Sequence, residues 1–129
     1  MADADTDGRD LRILDPTYLA EAVGGDQDAT NRMVGIFLHE LSLQIEKLRD
    51  AAAAGDVESM SRIAHAFKGS AGQLGGERLS DLARHVELAA KEGQVEVCRE
   101  TIARFDAEFE ALKRALAETD WEKEARELA

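Results

Sequence analysis

Cysteine is almost absent: Cys98 stands alone, so no disulfide can form within the chain. Proline occurs once, at Pro16, which leaves the rest of the chain without the residue that most reliably breaks a helix. Aromatics make up only 5% of the 129 residues, and no run alternates β-branched with polar side chains. A half-buried sheet is therefore not expected. Basic residues are outnumbered, 16 Lys and Arg against 27 Asp and Glu, for a formal net charge of -11. That balance argues against nucleic acid and against anionic membrane surfaces, both of which need a basic face. No apolar run approaches the ~20 residues of a membrane span, and the N-terminus is acidic rather than signal-like. A soluble, cytoplasmic protein is expected. The phosphate-binding loop G-x-x-x-x-G-K-[ST] and the kinase motifs are missing too. No Glu stands three residues before His39, His65 or His85, as a di-metal carboxylate bundle requires, so no metal site is expected.

What remains is rich in Ala and Leu, with 44% apolar residues, enough for the core of one domain. The chain reads as all-α. Residues 1–12, with Asp3, Asp5, Asp7 and Asp10, read as a disordered acidic lead-in. Asp15 then offers an N-cap and Pro16 a first helical position for a short helix carrying Leu19, Ala22 and Val23, ended by Gly24-Gly25. So short a helix is not stable alone; it is expected to cover one end of a larger bundle and to leave part of the Tyr18/Leu19 surface for a partner. Asp26 caps a long helix to about Ala54, with a stripe of Val34, Phe37, Leu41, Ile45, Leu48 and Ala52. Ile36 and Leu43 lie off the stripe, flanking a surface His39. A wide buried face is the preferred reading, and an exposed docking patch at Ile36 is the alternative.

Gly55 ends that helix, and Asp56 caps the next, which runs to Leu74. Gly75-Gly76 reverses the chain into a helix from Glu77 to Lys91, burying Leu79, Leu82, Ala83, Val86 and Ala90. After Gly93 one last helix follows, with Val95, Cys98, Ile102, Phe105, Phe109, Leu112 and Leu116 at unbroken three-and-four spacing. Short turns force antiparallel neighbours; in a single domain this seam is expected to pack inside a monomer, with a dimerising coiled coil as the alternative, and Cys98 on its apolar stripe to be a buried structural thiol. Residues 118–129 extend the helix or fray, with Trp121 against the first helix or open to a partner.

The stretch from His65 to Gly76 follows a different logic. At ~100° per residue, Met60, Ile63, Phe67, Ala71 and Leu74 share an apolar side. Ser61, Arg62, His65, Lys68, Gly69 and Gly72 share the opposite one. An interior glycine costs a helix ~1 kcal/mol relative to alanine, and two on the solvent face serve no packing. They leave bare backbone around an outward imidazole. A neutral imidazole is a nitrogen nucleophile near pH 7. Lys68, on the adjacent turn, can offset the charge of a phosphoryl group, whose transfer needs mainly alignment and charge stabilisation. Ser61, Arg62, Gly69 and Gly72 are then candidate contacts for a partner brought up to that ring. Counting back through a turn centred near 75–76 places Glu87 opposite His65. Arg84 and Lys91 flank Glu87 at one-turn distances, near the phosphate or paired with surface acids. His85 is expected to be exposed and inert.

The string His65-x-Phe67-Lys68-Gly69-Ser70-x-x-x-Leu74-Gly75, with Leu79, Leu82 and Glu87 downstream, resembles the signature of histidine-containing phosphotransfer (HPt) domains. The resemblance covers residues 13–117; Gly76 departs from it, at a turn position where the family often has Ala. It implies an antiparallel four-helix bundle with a short extra N-terminal helix. It also implies a phosphoaccepting His65, assisted by Lys68, and a Glu87 that hydrogen-bonds the ring, fixing its tautomer and freeing Nε2. Such a protein takes a phosphoryl group from a receiver-domain aspartate and passes it to another receiver. Response-regulator receiver domains and a hybrid histidine kinase are the implied partners. The receiver supplies Mg²⁺, so this chain carries no cofactor and is not itself an ATP-dependent kinase. A non-catalytic helical-bundle interaction module is the alternative; it leaves the exposed His-Lys-Gly face without a use. Met1 points to a free-standing protein.

Overall fold

A computed structural model describes residues 10–128. These residues form seven helices and no strands: α1 (Thr17–Val23), α2 (Gln27–Ala54), α3 (Val57–Gln73), α4 (Glu77–Lys91), α5 (Val95–Ile102), α6 (Phe105–Glu118) and α7 (Trp121–Leu128). The caps anticipated from sequence operate. Asp26 Oδ1 accepts from Ala29 N and Asp56 Oδ1 from Ser59 N, each at 3.1 Å, satisfying donors that every helix start leaves open. Asp15 Oδ1 accepts from Thr17 N at 3.0 Å at the head of α1.

Turns of two or three residues join α2, α3, α4 and α5, so these helices stack antiparallel, with α5 and α6 together forming the fourth arm. Their inner faces close one core around Leu41, Leu48, Met60, Phe67, Leu79, Val86, Phe105 and Leu112, all fully buried. The Phe67 and Phe105 rings meet at 5.1 Å between centroids, tilted by 51°, which locks the core face of α3 against α6. Cys98 is buried, and burial raises the pKa of its thiol.

Four expectations change. The final helix is not continuous: it breaks at Ala103-Arg104. Thr101 Oγ1 donates to Val97 O at 2.8 Å, a back-bond that competes with the helix ladder and bends it. Arg99 Nε reaches the carbonyl of Ala52 at 2.9 Å, tying α5 to the open end of α2. The seam residues from Cys98 to Leu116 nevertheless all face inward, because the bend keeps both halves on the same side.

Second, the chain leaves the helix again at Thr119, whose extended backbone (ψ 132°) sends α7 back onto α1. Trp121 is buried there, and Gly25 lets Ala125 approach. Third, Ile36 and Leu43 are not part of a wide buried face; they are 71% and 40% exposed. α2 is covered by neighbours along one stripe only. Fourth, the acidic lead-in assigned to residues 1–12 falls outside the described residues up to residue 9, but residues 10–12 are placed. Arg12 is held by Glu77, its backbone N donating to Oε1 at 2.9 Å and its Nη2 to Oε2 at 3.1 Å.

Candidate functional site

The site is built across α3 and α4. Phe67 and Ala64 face the core of α3, so His65 must face out, and its side chain is 68% exposed. On α4 the neighbours of Glu87 are the core residues Val86, Ala83 and Ala90, and the Glu87 side chain is only 8% exposed. The antiparallel turn brings the two together: His65 Nδ1 lies 2.8 Å from Glu87 Oε2. An ionised carboxylate can only accept, so Nδ1 carries a hydrogen, and in the neutral ring the lone pair is on Nε2. Among the described residues nothing bonds Nε2.

A buried carboxylate needs partners, and Glu87 has three. Lys68 Nζ donates to Oε1 at 3.0 Å and Lys91 Nζ to Oε2 at 3.2 Å, beside the imidazole. Burial opposes ionisation of Glu87, but hydrogen bonds from Lys68, Lys91 and His65 more than offset it. The carboxyl is pulled down from 4.5 to about 2. Ser80 Oγ, donating to Lys68 O at 3.0 Å, ties α4 to α3 just below the cluster.

Gly69 and Gly72 are exposed on the same side of α3 as His65. Neither is required by the fold. A Cβ on Gly69 would meet nothing within 4 Å, and one on Gly72 only Ser80 Oγ at 3.8 Å. Gly76 is different: a Cβ there would come within 2.9 Å of Leu112, so its departure from Ala is tied to packing.

Ser61 is half-buried and Arg62 exposed one turn above His65, and both line a shallow groove with Lys91. Tyr18 is 56% exposed on α1, and Ile36 edges an apolar hollow with Val23, Met33 and Phe37. That hollow is made by α1 and α2, whereas the His65 cluster is made by α3 and α4. His85 is not the exposed, inert residue expected. Its side chain is 20% exposed, and Nδ1 lies 2.8 Å from Asp81 O. That backbone carbonyl holds the ring down, and the buried Asp81 carboxylate, which accepts from Arg84 Nε at 2.9 Å, lies 3.5 Å from the same nitrogen. The Asp81-x-x-Arg84-His85 spacing was the available signal, being the one-turn separation of helical neighbours. Among the described residues no group of three or more His, Cys, Asp or Glu side chains could hold a metal ion, and no helix is long and apolar enough to cross a membrane.

Residues 32–115 match the family model of the Hpt domain. The chain is 30% identical over 89 residues to the phosphorelay protein LuxU of Vibrio vulnificus, in strains YJ016 and CMCP6, covering 68% of this chain and 76% of the relative. Its fold is similar to that of histidine-containing phosphotransfer protein B (HptB) from Pseudomonas aeruginosa PAO1. That match has a TM-score of 0.76 at 22% identity and covers 84% of this chain and 94% of the other. The chain belongs to the Hpt domain family, the histidine phosphotransfer intermediates of phosphorelays.

Proposed function

We propose that His65 is the phosphoacceptor and that its Nε2 is the reacting atom. The lone pair of Nε2 attacks the phosphorus of a receiver's aspartyl phosphate. The N–P bond forms as the P–O bond to the aspartate breaks, and the carboxylate leaves unprotonated. Nδ1–H stays bonded to Glu87 throughout, so the phosphorylated ring, now cationic, faces a carboxylate already ionised. Transfer onward to a second receiver is the same step reversed.

Lys68 and Lys91 reach Glu87 through flexible stems and can turn to phosphoryl oxygens once these arrive. Gly69 and Gly72 let the receiver's backbone come close, and Ser61 and Arg62 border the approach on the other side. Any Mg²⁺ belongs to the receiver, and the donor is a receiver rather than ATP. The protein acts as a monomer, since the α5–α6 seam is used internally.

The observation that carries this reading is an exposed imidazole whose Nδ1 is bonded and whose Nε2 is open. The test is incubation with phosphorylated receiver domains. The chain should acquire acid-labile, base-stable phosphate, and His65→Gln should acquire none while keeping its helical circular dichroism. Label retained by His65→Gln would remove His65 from the role.

A further inference from the structure

The first described residues belong to no helix, yet they are pinned firmly. Besides the Arg12–Glu77 bonds, Arg78 N donates to Arg12 O at 3.1 Å and Asp15 N to Gly75 O at 2.7 Å. A Cβ on Gly75 would lie 1.9 Å from Asp15 O, so this glycine exists to let the segment cross the α3–α4 turn. Residues 10–15 thus form a strap over the foot of the two helices that carry the site. Asp10 and Leu11, at its end, form one wall of a groove whose other lining includes the cations Lys68 and Arg84 and the acids Glu77 and Asp81.

Lys68 belongs both to this groove and to the His65–Glu87 cluster, so the groove is continuous with the phosphoacceptor face. Gly72 follows His65 by two turns on the same side of α3, ~10 Å along the axis at 1.5 Å per residue. A transient protein interface buries roughly 600 Å² per partner, and a round patch of that size reaches ~14 Å from its centre. A receiver centred on His65 Nε2 therefore covers the Lys68–Gly72 side of the groove, whose opposite wall is the strap.

We propose that the strap is part of the receiver-docking surface and discriminates among receivers through Asp10 and Leu11. This rests on His65 being the phosphoacceptor. The occupant that fits is a receiver loop with an apolar side chain for Leu11 and a cation for the exposed Asp10.

The experiment compares two phosphate donors on the full chain. One is a receiver domain charged with acetyl phosphate and chosen because it labels the wild-type protein. The other is phosphoramidate, too small to span the distance to the strap. The readout is the ratio of the receiver-fed rate to the phosphoramidate-fed rate. Asp10→Lys and Leu11→Asp lower this ratio about fivefold, the ordinary effect of losing one contributing interface residue, and reorder a panel of receivers. Asp10 is exposed, so Asp10→Lys carries no folding cost. A ratio unchanged in both variants, or one that rises because the strap shields His65, overturns the proposal and leaves the reading of His65 standing. Wild-type protein that takes no label from any receiver, or His65→Gln that still takes it, overturns both.

Discussion

Lys68 and His65 are joined through a single carboxylate: Lys68 Nζ lies 3.0 Å from Glu87 Oε1, and His65 Nδ1 lies 2.8 Å from Glu87 Oε2. The cation and the imidazole are held against one charge, each on its own oxygen. Replacing any member changes what the other two can bond.

On the proposed mechanism, Lys68→Ala removes a cation that turns to the incoming phosphoryl group. Transfer should slow, or phosphohistidine decay faster, by about tenfold, which corresponds to ~1.4 kcal/mol of lost charge stabilisation. Stability should also fall above pH 4.5, because Lys68 is the strongest of the partners that keep the buried Glu87 ionised, with Lys91 still pairing. Single-turnover transfer from a labelled receiver measures this, and unchanged kinetics would remove Lys68 from the site.

Glu87→Ala leaves the imidazole free to rotate and to carry its hydrogen on either nitrogen. Loss of such an orienting partner ordinarily costs about 10–100-fold in activity. Glu87→Gln keeps an acceptor for Nδ1–H and should recover much of that loss. Equal rates in the two variants would mean that ring orientation does not depend on this residue.

The same carboxylate makes stability pH-dependent. Its pKa is lowered from 4.5 in the free state to about 2 in the fold, where partner hydrogen bonds outweigh burial. The stabilisation is therefore fully present above about pH 4.5 and is lost as the pH falls toward 2. A shift of this size corresponds to roughly 3 kcal/mol. Urea denaturation of wild type and Glu87→Gln should differ by about that amount at pH 6 and converge only near pH 2. A gap independent of pH would contradict the ion-pair origin.

Two glycines on the same helical hairpin should respond oppositely. Gly75→Ala puts a Cβ into Asp15 O at a φ of 83° and should destabilise by roughly 2–4 kcal/mol. Gly69→Ala meets open space in a helix interior and should stabilise by about 0.5–1 kcal/mol. If bare backbone near His65 serves a partner, Gly69→Ala should also slow receiver-fed transfer severalfold. A stabilised variant with unchanged transfer would leave that glycine without a functional reason.

Local pattern made most of the fold legible. Asp26 and Asp56 sit where caps belong, Gly24, Gly55 and Gly93 stand where helices end with positive φ, and the stripes on α2, α3 and α4 point inward. The break between α5 and α6 was not legible, because Thr101 leaves the three-and-four spacing intact while its hydroxyl takes the carbonyl of Val97. Ile36 and Leu43 misled because an apolar residue beside a stripe reads as its margin, and only the neighbouring helices decide where cover stops. His85 misled in the opposite sense: Asp81, one turn back, is itself buried.

The sequence by itself determined that the chain is helical, that its arms are antiparallel, and that His65, Lys68, Gly69 and Gly72 share an open side of α3. Each follows from residues within a few turns of one another, where helical geometry leaves one answer. Only the tertiary structure decided that Glu87, expected opposite His65, is buried and also bonds Lys68 and Lys91, and that residues 10–15 cross beneath them to Glu77 and Gly75. The strap relations join positions up to 65 residues apart. Side chains that far apart are set against each other by how whole helices pack, which no local periodicity encodes.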